Sequence, residues 1–409
     1  MTGEKNRELP RPLEGIRVIE YGLFHAGPGA GAILADLGAE VIKIEPREGD
    51  PERYWTRLGQ LNLALPDGES VMFQSSNRGK KGIGVDIQSR AGREVFHRLV
   101  GKADVFLTNI RKSTKSKLKI DYTSLCSVNP KLIHANVSGY GPEGPMSDLG
   151  AFDPLGLARS GMMFVSGTDK PLLMHIGILD QATSMTLSHA IMTALFVRER
   201  RGVGQEIHVS LFGTAIWLMH PTLMIGNLLS VEPVVHHDRN AHSPLRNFFR
   251  CSDGEWIIGA HHPEEKYWAT FCEATGQPQL ISDPRYATLE GRAGNSAKLV
   301  KHFDSVFATK TRDEWMDIFV SRGLMFCSIQ HAGEVKNDVQ AKANDYMVDF
   351  EDRSLGKVQI PGYPVHFSAC TAGTHSLAPK LGEHTASVLG ENGYAESEIE
   401  AMMTSGAVF

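Results

Sequence analysis

Cysteine is scarce in this chain. Five thiols (Cys126, Cys251, Cys272, Cys327 and Cys370) lie scattered along 409 residues, and no Cys-x-x-Cys pair occurs. An odd, dispersed set offers neither a disulfide framework nor a zinc knuckle and fits thiols kept reduced, so a cytoplasmic protein is expected. Long apolar runs are missing too. The most apolar stretch, Ile216 to Leu229, is broken by His220, Pro221 and Asn227, well short of the ~20 residues of a membrane span. The N-terminal stretch Met1 to Gly15 is charged and proline-containing and has no apolar core of a signal peptide. Positive charge is not in excess: 42 Lys and Arg against 47 Asp and Glu leave a net −5. Without a global basic field nucleic acid is excluded as a partner, and an anionic ligand must be met by a local cluster. Neither a G-x-S-x-G elbow nor a Walker A sequence occurs, which removes the readings that depend on them. His236, His237, Asp238 and His242 are close in sequence. Adjacent histidines of an extended chain point to opposite faces, and no helical H-E-x-x-H occurs, so no metal site is expected.

What remains is an ordinary globular composition, long enough for two or more domains. The first third alternates two patterns. Short β-branched runs at 16–21, 40–45, 82–87, 104–110 and 132–138 read as strands. The small-residue segment Ala26 to Leu37 and the amphipathic stretch Ser89 to Lys102 read as helices between them, with residues 46–76 irregular. Strands separated by helices of this length pair in parallel through right-handed crossovers. The expectation is a Rossmann-like, doubly wound α/β domain. A long helix follows Asp180, with arginines in its last turn and Gly202 beyond it, and Gln205 to Phe212 is a further strand. Residues 230–250 read as a linker, followed by a hairpin turned at Asp253-Gly254 and amphipathic helices at 264–275 and 294–322. The expected division is therefore 1–229 as the first part of a large α/β domain and 230–335 as a small α+β domain with its linker. Residues 336–409 return to the large domain.

Three features carry chemistry. Gly27, Gly29, Gly31 and Ala32 spell a dinucleotide-like fingerprint, with Glu45 ending the next strand where a ribose-binding acid would sit. Leu23 to Ala26 separate the strand from those glycines, whereas a pyrophosphate turn follows its strand directly. Close helix packing, a nicotinamide site, or another ligand beside His25 all stay open. Arg78, Lys80 and Lys81 precede the third strand, and Arg111, Lys112, Lys115, Lys117 and Lys119 follow the fourth. Such clusters are either a solvated face or a seat for a phosphorylated ligand. Asp180, before the long helix, reads as an N-cap or as a carboxylate nucleophile towards an activated acyl group.

In this order, several segments resemble the class III CoA-transferases: Leu13 to Glu20, Ala26 to Pro28, Leu37 to Glu45, Asn77 to Lys81, Thr108 to Arg111, Val137 to Pro145, Arg201 to Glu206 and Leu381 to Thr385. This is the CaiB/BaiF-like family of formyl-CoA and carnitine CoA-transferases, with the 2-methylacyl-CoA racemases beside it. The resemblance implies that Asp180, in Gly177 to Asp180, attacks a donor thioester, passes through a mixed anhydride and an aspartyl-CoA thioester, and hands CoA to an acceptor carboxylate. It implies His25 and Tyr140 at the substrate. Asn109, Arg111 and Lys117 fall in the loop that grips CoA, with Arg47 and Lys80 at its phosphates. CoA thioesters are then substrates, with no tightly bound cofactor. Two departures stand out: Pro46 follows Glu45 where the family often has an arginine, and His242 to Leu245 replace a glycine-rich loop. The racemase branch carries a histidine before an aspartate where this chain has Phe152-Asp153. A phenylalanine cannot carry a proton, so transfer is favoured over racemisation, with a nicotinamide oxidoreductase as the more distant alternative. Residues 243–256 resemble the 2-hydroxyacyl-CoA transferases and point to a 2-hydroxy or similar short organic acid. The family architecture implies a ring-shaped subunit in an interlocked homodimer.

Overall fold

A computed structural model describes residues 9–165, 170–174, 177–231, 238–352 and 355–409. Two of the histidines considered as ligands, His236 and His237, lie outside the described residues. The chain divides into two compact units: the described parts of Met1–Val165, Lys170–Val234 and Ala343–Phe409 form one, and those of Val235–Lys342 the other.

The larger unit is built on six parallel strands: β1 (Arg17–Tyr21), β2 (Glu40–Glu45), β3 (Lys81–Gly84), β4 (Val105–Thr108), β5 (Ile133–Ser138) and β6 (Gln205–Ser210). Their spatial order is β3-β2-β1-β4-β5-β6. That is the doubly wound order, which reverses between β1 and β4. Both faces are covered, as the apolar content of the strands requires. Alternate residues sort to opposite faces: Val18, Val41 and Val105 pack with α1 (Ala26–Asp36) on one side, and Ile19, Ile42 and Phe106 face α3 (Arg90–Val100) on the other. Between these two helices in sequence lies α2 (Val71–Asn77), capped by Ser70. It falls in the stretch expected to be irregular, which also holds a small hairpin pairing Arg57–Leu58 with Leu61–Asn62. After β4 come α4 (Lys112–Leu118), α5 (Asp153–Arg159), the long α6 (Ile178–Arg201) and α7 (Leu211–Leu218).

The glycines of α1 do packing work. A Cβ on Gly29 would collide with Ser184 Oγ of α6, and one on Gly31 with Glu20 beneath the helix. Gly27, Gly29 and Gly31 all lie inside α1 and are buried. Of the alternatives open in the sequence, close helix packing is the one this placement satisfies.

The smaller unit holds β7 (Phe248–Arg250), β8 (Trp256–Gly259) and β9 (Phe326–Ile329) in an antiparallel sheet ordered β9-β8-β7. Helices α8 (Glu265–Ala274), α9 (Ser296–Phe307) and α10 (Arg312–Ser321) close over it. Its core is aromatic, with Phe249 stacked on Phe307 at 4.3 Å and Phe319 on Phe326 at 4.2 Å. The single helix expected over 294–322 is two. Thr311 opens the second: its Oγ1 accepts the Glu314 N–H, and the Glu314 carboxylate accepts the Thr311 N–H at 2.8 Å, a reciprocal cap that ends any continuous run.

The C-terminal segment begins with the hairpin β10 (Met347–Asp352) and β11 (Gly356–Pro361), then α11 (Thr385–Glu391) and α12 (Glu396–Ser405). It rejoins the large unit. Val408 bridges Val85, Phe409 N–H donates to Gly84 O at 3.2 Å, and Val388 and Leu389 enter the core facing α3. Among the described residues no helix is long and apolar enough to cross a membrane.

Candidate active site

Where the strand order reverses, the loops after β1 and β4 diverge and leave a crevice at the carboxyl ends of the strands. A cavity of about 920 Å³ opens there, lined by Phe24, His25, Asn109, Arg111, Phe152 and Asp180 among others. Sequence-distant candidates thus meet at one place for a topological reason.

The β1–α1 loop is fixed from below. Asn109 clasps Leu23, its Oδ1 accepting the backbone N–H at 2.9 Å and its Nδ2 donating to the carbonyl at 2.6 Å. Lys43 donates to Gly22 O and to Asp50, both at 2.9 Å, and Asp50 in turn accepts the Phe24 N–H at 3.1 Å. Phe24 is held at φ 57°. The loop then delivers His25 to the cavity between Ser76, 2.8 Å from Nδ1, and Gln181, 2.9 Å from Nε2. Burial pulls the imidazole pKa down, partly opposed by the Gln181 bond, with Arg78 and Lys80 adding to the fall. A neutral ring donates from Nε2 to Gln181 Oε1 and accepts from Ser76 at Nδ1.

Asp180 is not an N-cap. It lies within the first turn of α6, whose N-cap, Gly177, sits in the left-handed region at φ 61° and has no side chain to offer. The capping comes from Asp153 on α5, whose Oδ2 accepts the N–H of Leu179 at 2.6 Å and of Asp180 at 3.1 Å. The Asp180 carboxyl is left open to the cavity. Burial, then the nearby charge of Asp153, push its pKa up to about 7.

The other expected site residues disperse. Lys80 is wholly enclosed: its ammonium donates to Glu20, to Pro28 O and to Asn77 Oδ1, and burial draws its pKa down to about 8 against the pull of Glu20. It supports α1 from beneath and does not reach a phosphate in the cavity. Its neighbours in the first basic cluster are engaged as well, Arg78 with Asp36, and Lys81 with Glu40 and Glu391. Arg47 stacks on the Phe409 ring at 4.8 Å and donates to Gly406 O, outside the cavity lining. Lys117 is exposed on α4 and Tyr140 half-buried beneath Arg159, and neither lines the cavity. Arg111 does, its guanidinium lying against Gly150, together with Lys112 and Lys115.

Asn136, Glu206 and His208 line the cavity without a signal of their own in the sequence, beside Lys115 of the second basic cluster. Lys115 is buried against Asn136, which also donates to Glu206 at 3.1 Å, with His208 3.3 Å from the same carboxylate. Strand alternation could have grouped Asn136 with His208, which pair across β5 and β6. Of the described residues only Glu255, His331 and Glu334, in the smaller unit, approach a metal-ligand grouping, and Arg312 pairs with both glutamates there.

Comparison with known proteins agrees with this geometry. The sequence pattern of CoA-transferase family III matches residues 13–385. An (R)-2-hydroxy-4-methylpentanoate CoA-transferase of Clostridioides difficile is 33% identical over 400 residues, spanning 97% of this chain and 99% of that one. A succinyl-CoA:glutarate CoA-transferase of Mus musculus is 31% identical over 404 residues, 97% of this chain and 90% of the other. The crystal structure of a CAIB/BAIF family protein from Brucella suis superposes with a TM-score of 0.83 at 28% identity, covering 94% of this chain and 100% of that one. The parallel sheet, the crevice at its switch point and the matched sequence together place the chain in CoA-transferase family III, enzymes that move coenzyme A between an acyl-CoA thioester and a carboxylate.

Proposed function

We propose that Asp180 is the carrier of the transfer. The observation behind this is a carboxyl at the mouth of the α6 N-terminus whose capping duty has been taken over by Asp153. Its carboxylate attacks the donor thioester carbonyl and expels CoA thiolate, leaving a mixed anhydride. The thiolate attacks the aspartyl carbonyl, releases the donor acid and forms an aspartyl-CoA thioester. The acceptor carboxylate then runs the two steps in reverse. A covalent carrier divides one exchange into easier halves, and holding the thiolate in the cavity spares it competition with water. His25, neutral and in the cavity lining, would supply the hydrogen bond a developing oxyanion needs by turning its Nε2–H from Gln181 Oε1 to that oxygen. Arg111 and Lys112 are the cavity cations suited to CoA phosphates. The acids exchanged belong to the 2-hydroxy or similar short organic acids, and no step calls for a resident cofactor.

Racemisation would need a second proton-carrying group where this chain has Phe152, which has none. The working unit is a homodimer of interlocked rings in the cytoplasm. In support, the helix His220–Leu229 buries no residue, and Trp217, Leu228 and Leu229 are each about two-thirds or more exposed, apolar side chains that a second subunit would cover. The five thiols are free. The direct test is to incubate the enzyme with acyl-CoA, trap with hydroxylamine or borohydride and map the modified peptide. Modification is expected at Asp180 alone and is lost in Asp180→Ala. Modification elsewhere, or native exchange by that variant, overturns the proposal.

A further inference from the structure

Two phenylalanines stand next to residues already placed at the site, His25 in the cavity lining and Asp153 at the α6 N-terminus. Phe24 stands before His25 and Phe152 before Asp153. The two rings meet edge to face, with centroids 5.1 Å apart and planes at 89°, and both line the cavity. Their placement is costly in ways that core packing does not require. Phe24 holds a left-handed backbone at φ 57°, a conformation unfavourable for a residue with a Cβ, and the Asp50 carboxylate secures its N–H there. Strain of this kind collects at functional sites. Phe152 leaves 57% of its surface exposed and Leu155, one turn along α5, leaves 48%, and both line the cavity.

Charge is distributed unevenly around the same space. Burial, then the charge of Asp153, push the Asp180 pKa up. The cavity cations all come from one stretch, Arg111 to Lys115, and Lys115 is already bonded to Asn136. An acyl group attached at Asp180 therefore meets rings, a leucine and a neutral imidazole. A second carboxylate on that acyl group would meet the negative charge of Asp153 and lose its hydration without a partner.

Resting on the Asp180 transfer reading, we propose that Phe24 and Phe152 form the acyl wall of the site. They select acids with one carboxylate and an apolar aryl or branched-alkyl chain over dicarboxylates. The reaction is one exchange: the donor C–S bond breaks, an acceptor C–S bond forms, and the donor acid leaves with an oxygen supplied by the Asp180 carboxylate, which the acceptor carboxylate replaces.

The full-length enzyme is given 3-phenylpropanoyl-CoA or succinyl-CoA, each with an equimolar mixture of 3-phenyllactate, 4-methylpentanoate, succinate and glutarate. Newly formed thioesters are read by mass spectrometry. The aryl and branched products are expected to exceed the dicarboxylyl products by about tenfold or more, and Phe152→Ala to lower that ratio about tenfold. Phe24→Gly, which accepts the positive φ, provides a second variant with the same expectation. Trapping at Asp180 in both variants shows that the site still assembles. Dicarboxylyl products equal to or above the apolar ones in the wild type, or a ratio unchanged in both variants, overturns the acyl-wall proposal while leaving transfer through Asp180 intact. Absence of any exchange together with no trapping at Asp180 from either donor overturns the transfer reading and this proposal with it.

Discussion

Asp153 Oδ2 accepts the backbone N–H of Asp180 at 3.1 Å, so one carboxylate satisfies the helix terminus that the next would otherwise have capped. The same contact places a negative charge beside a partly buried carboxyl, and burial with that charge lifts the Asp180 pKa to about 7. A nucleophilic carboxylate must be ionised. The rate kcat/KM is therefore expected to rise with pH through about 7 and to level off above it. Asp153→Asn keeps an oxygen for the two N–H groups but removes the charge, so its midpoint falls at lower pH, whereas Asp180→Ala loses at least about a thousandfold in kcat. A pH–rate profile whose midpoint is unmoved in Asp153→Asn would show that the pair is not electrostatically coupled.

Glu52 is fully buried, close to Asp50 and Ser76. Burial, then the charge of Asp50, raise its pKa to about 7. The unfolded chain would titrate it near 4.3, so the folded state holds the extra proton in between and loses stability as pH rises from about 4 to 7. Glu52→Gln has no proton to lose. Its stability gain over the wild type is expected to grow by about 1–2 kcal/mol between about pH 5.5 and pH 8.5. Urea unfolding at both values measures it, and a gain that shrinks with pH contradicts the assignment.

The glycine segment shows how far the residues alone could be read. Gly27, Gly29 and Gly31 matched a nucleotide fingerprint formally, and only the offset of Leu23 to Ala26 from the strand end argued otherwise. In the fold Gly29 lies against Ser184 of α6, a residue some 150 positions later in the chain, and no local pattern announces that contact. Gly29→Ala is expected to destabilise the protein by about 1–3 kcal/mol through overpacking. Adding Ser184→Ala returns part of that loss, a coupling read by a double-mutant cycle. A neutral Gly29→Ala would remove the packing account.

The parallel sheet was legible because its strands are continuous apolar runs flanked by helix-period segments, and strand order then fixed the crevice without further information. Asp180, His25, Asn109 and Arg111 could be named in advance and share that crevice. Lys80 could not be judged from sequence, since its burial follows from Glu20 lying two strands away, across β2, a matter of sheet order. The place of Arg47 is likewise set by tertiary folding, since the ring it stacks on, Phe409, is more than 350 residues away in sequence. Ser76 and Asp50 fall in a stretch with no clear periodicity, and their partners, His25 and Phe24, are supplied by tertiary folding.

The last expectation follows the oxygen atoms. If CoA passes through Asp180, the donor acid departs with an oxygen that belonged to the aspartate, and the acceptor leaves one of its own behind when the second anhydride is cleaved. A single turnover with a heavy-oxygen-labelled acceptor is therefore expected to add one heavy oxygen to the peptide containing Asp180, and repeated turnover up to two. The next donor acid, released in unlabelled acceptor, carries that atom away. Direct transfer between the two substrates, without the aspartate, would leave the peptide unlabelled while every product formed normally. Label in the peptide also fixes the direction of the thiolate attacks: had the first one returned to the donor carbonyl, the reaction would only revert and no oxygen would be exchanged with the acceptor.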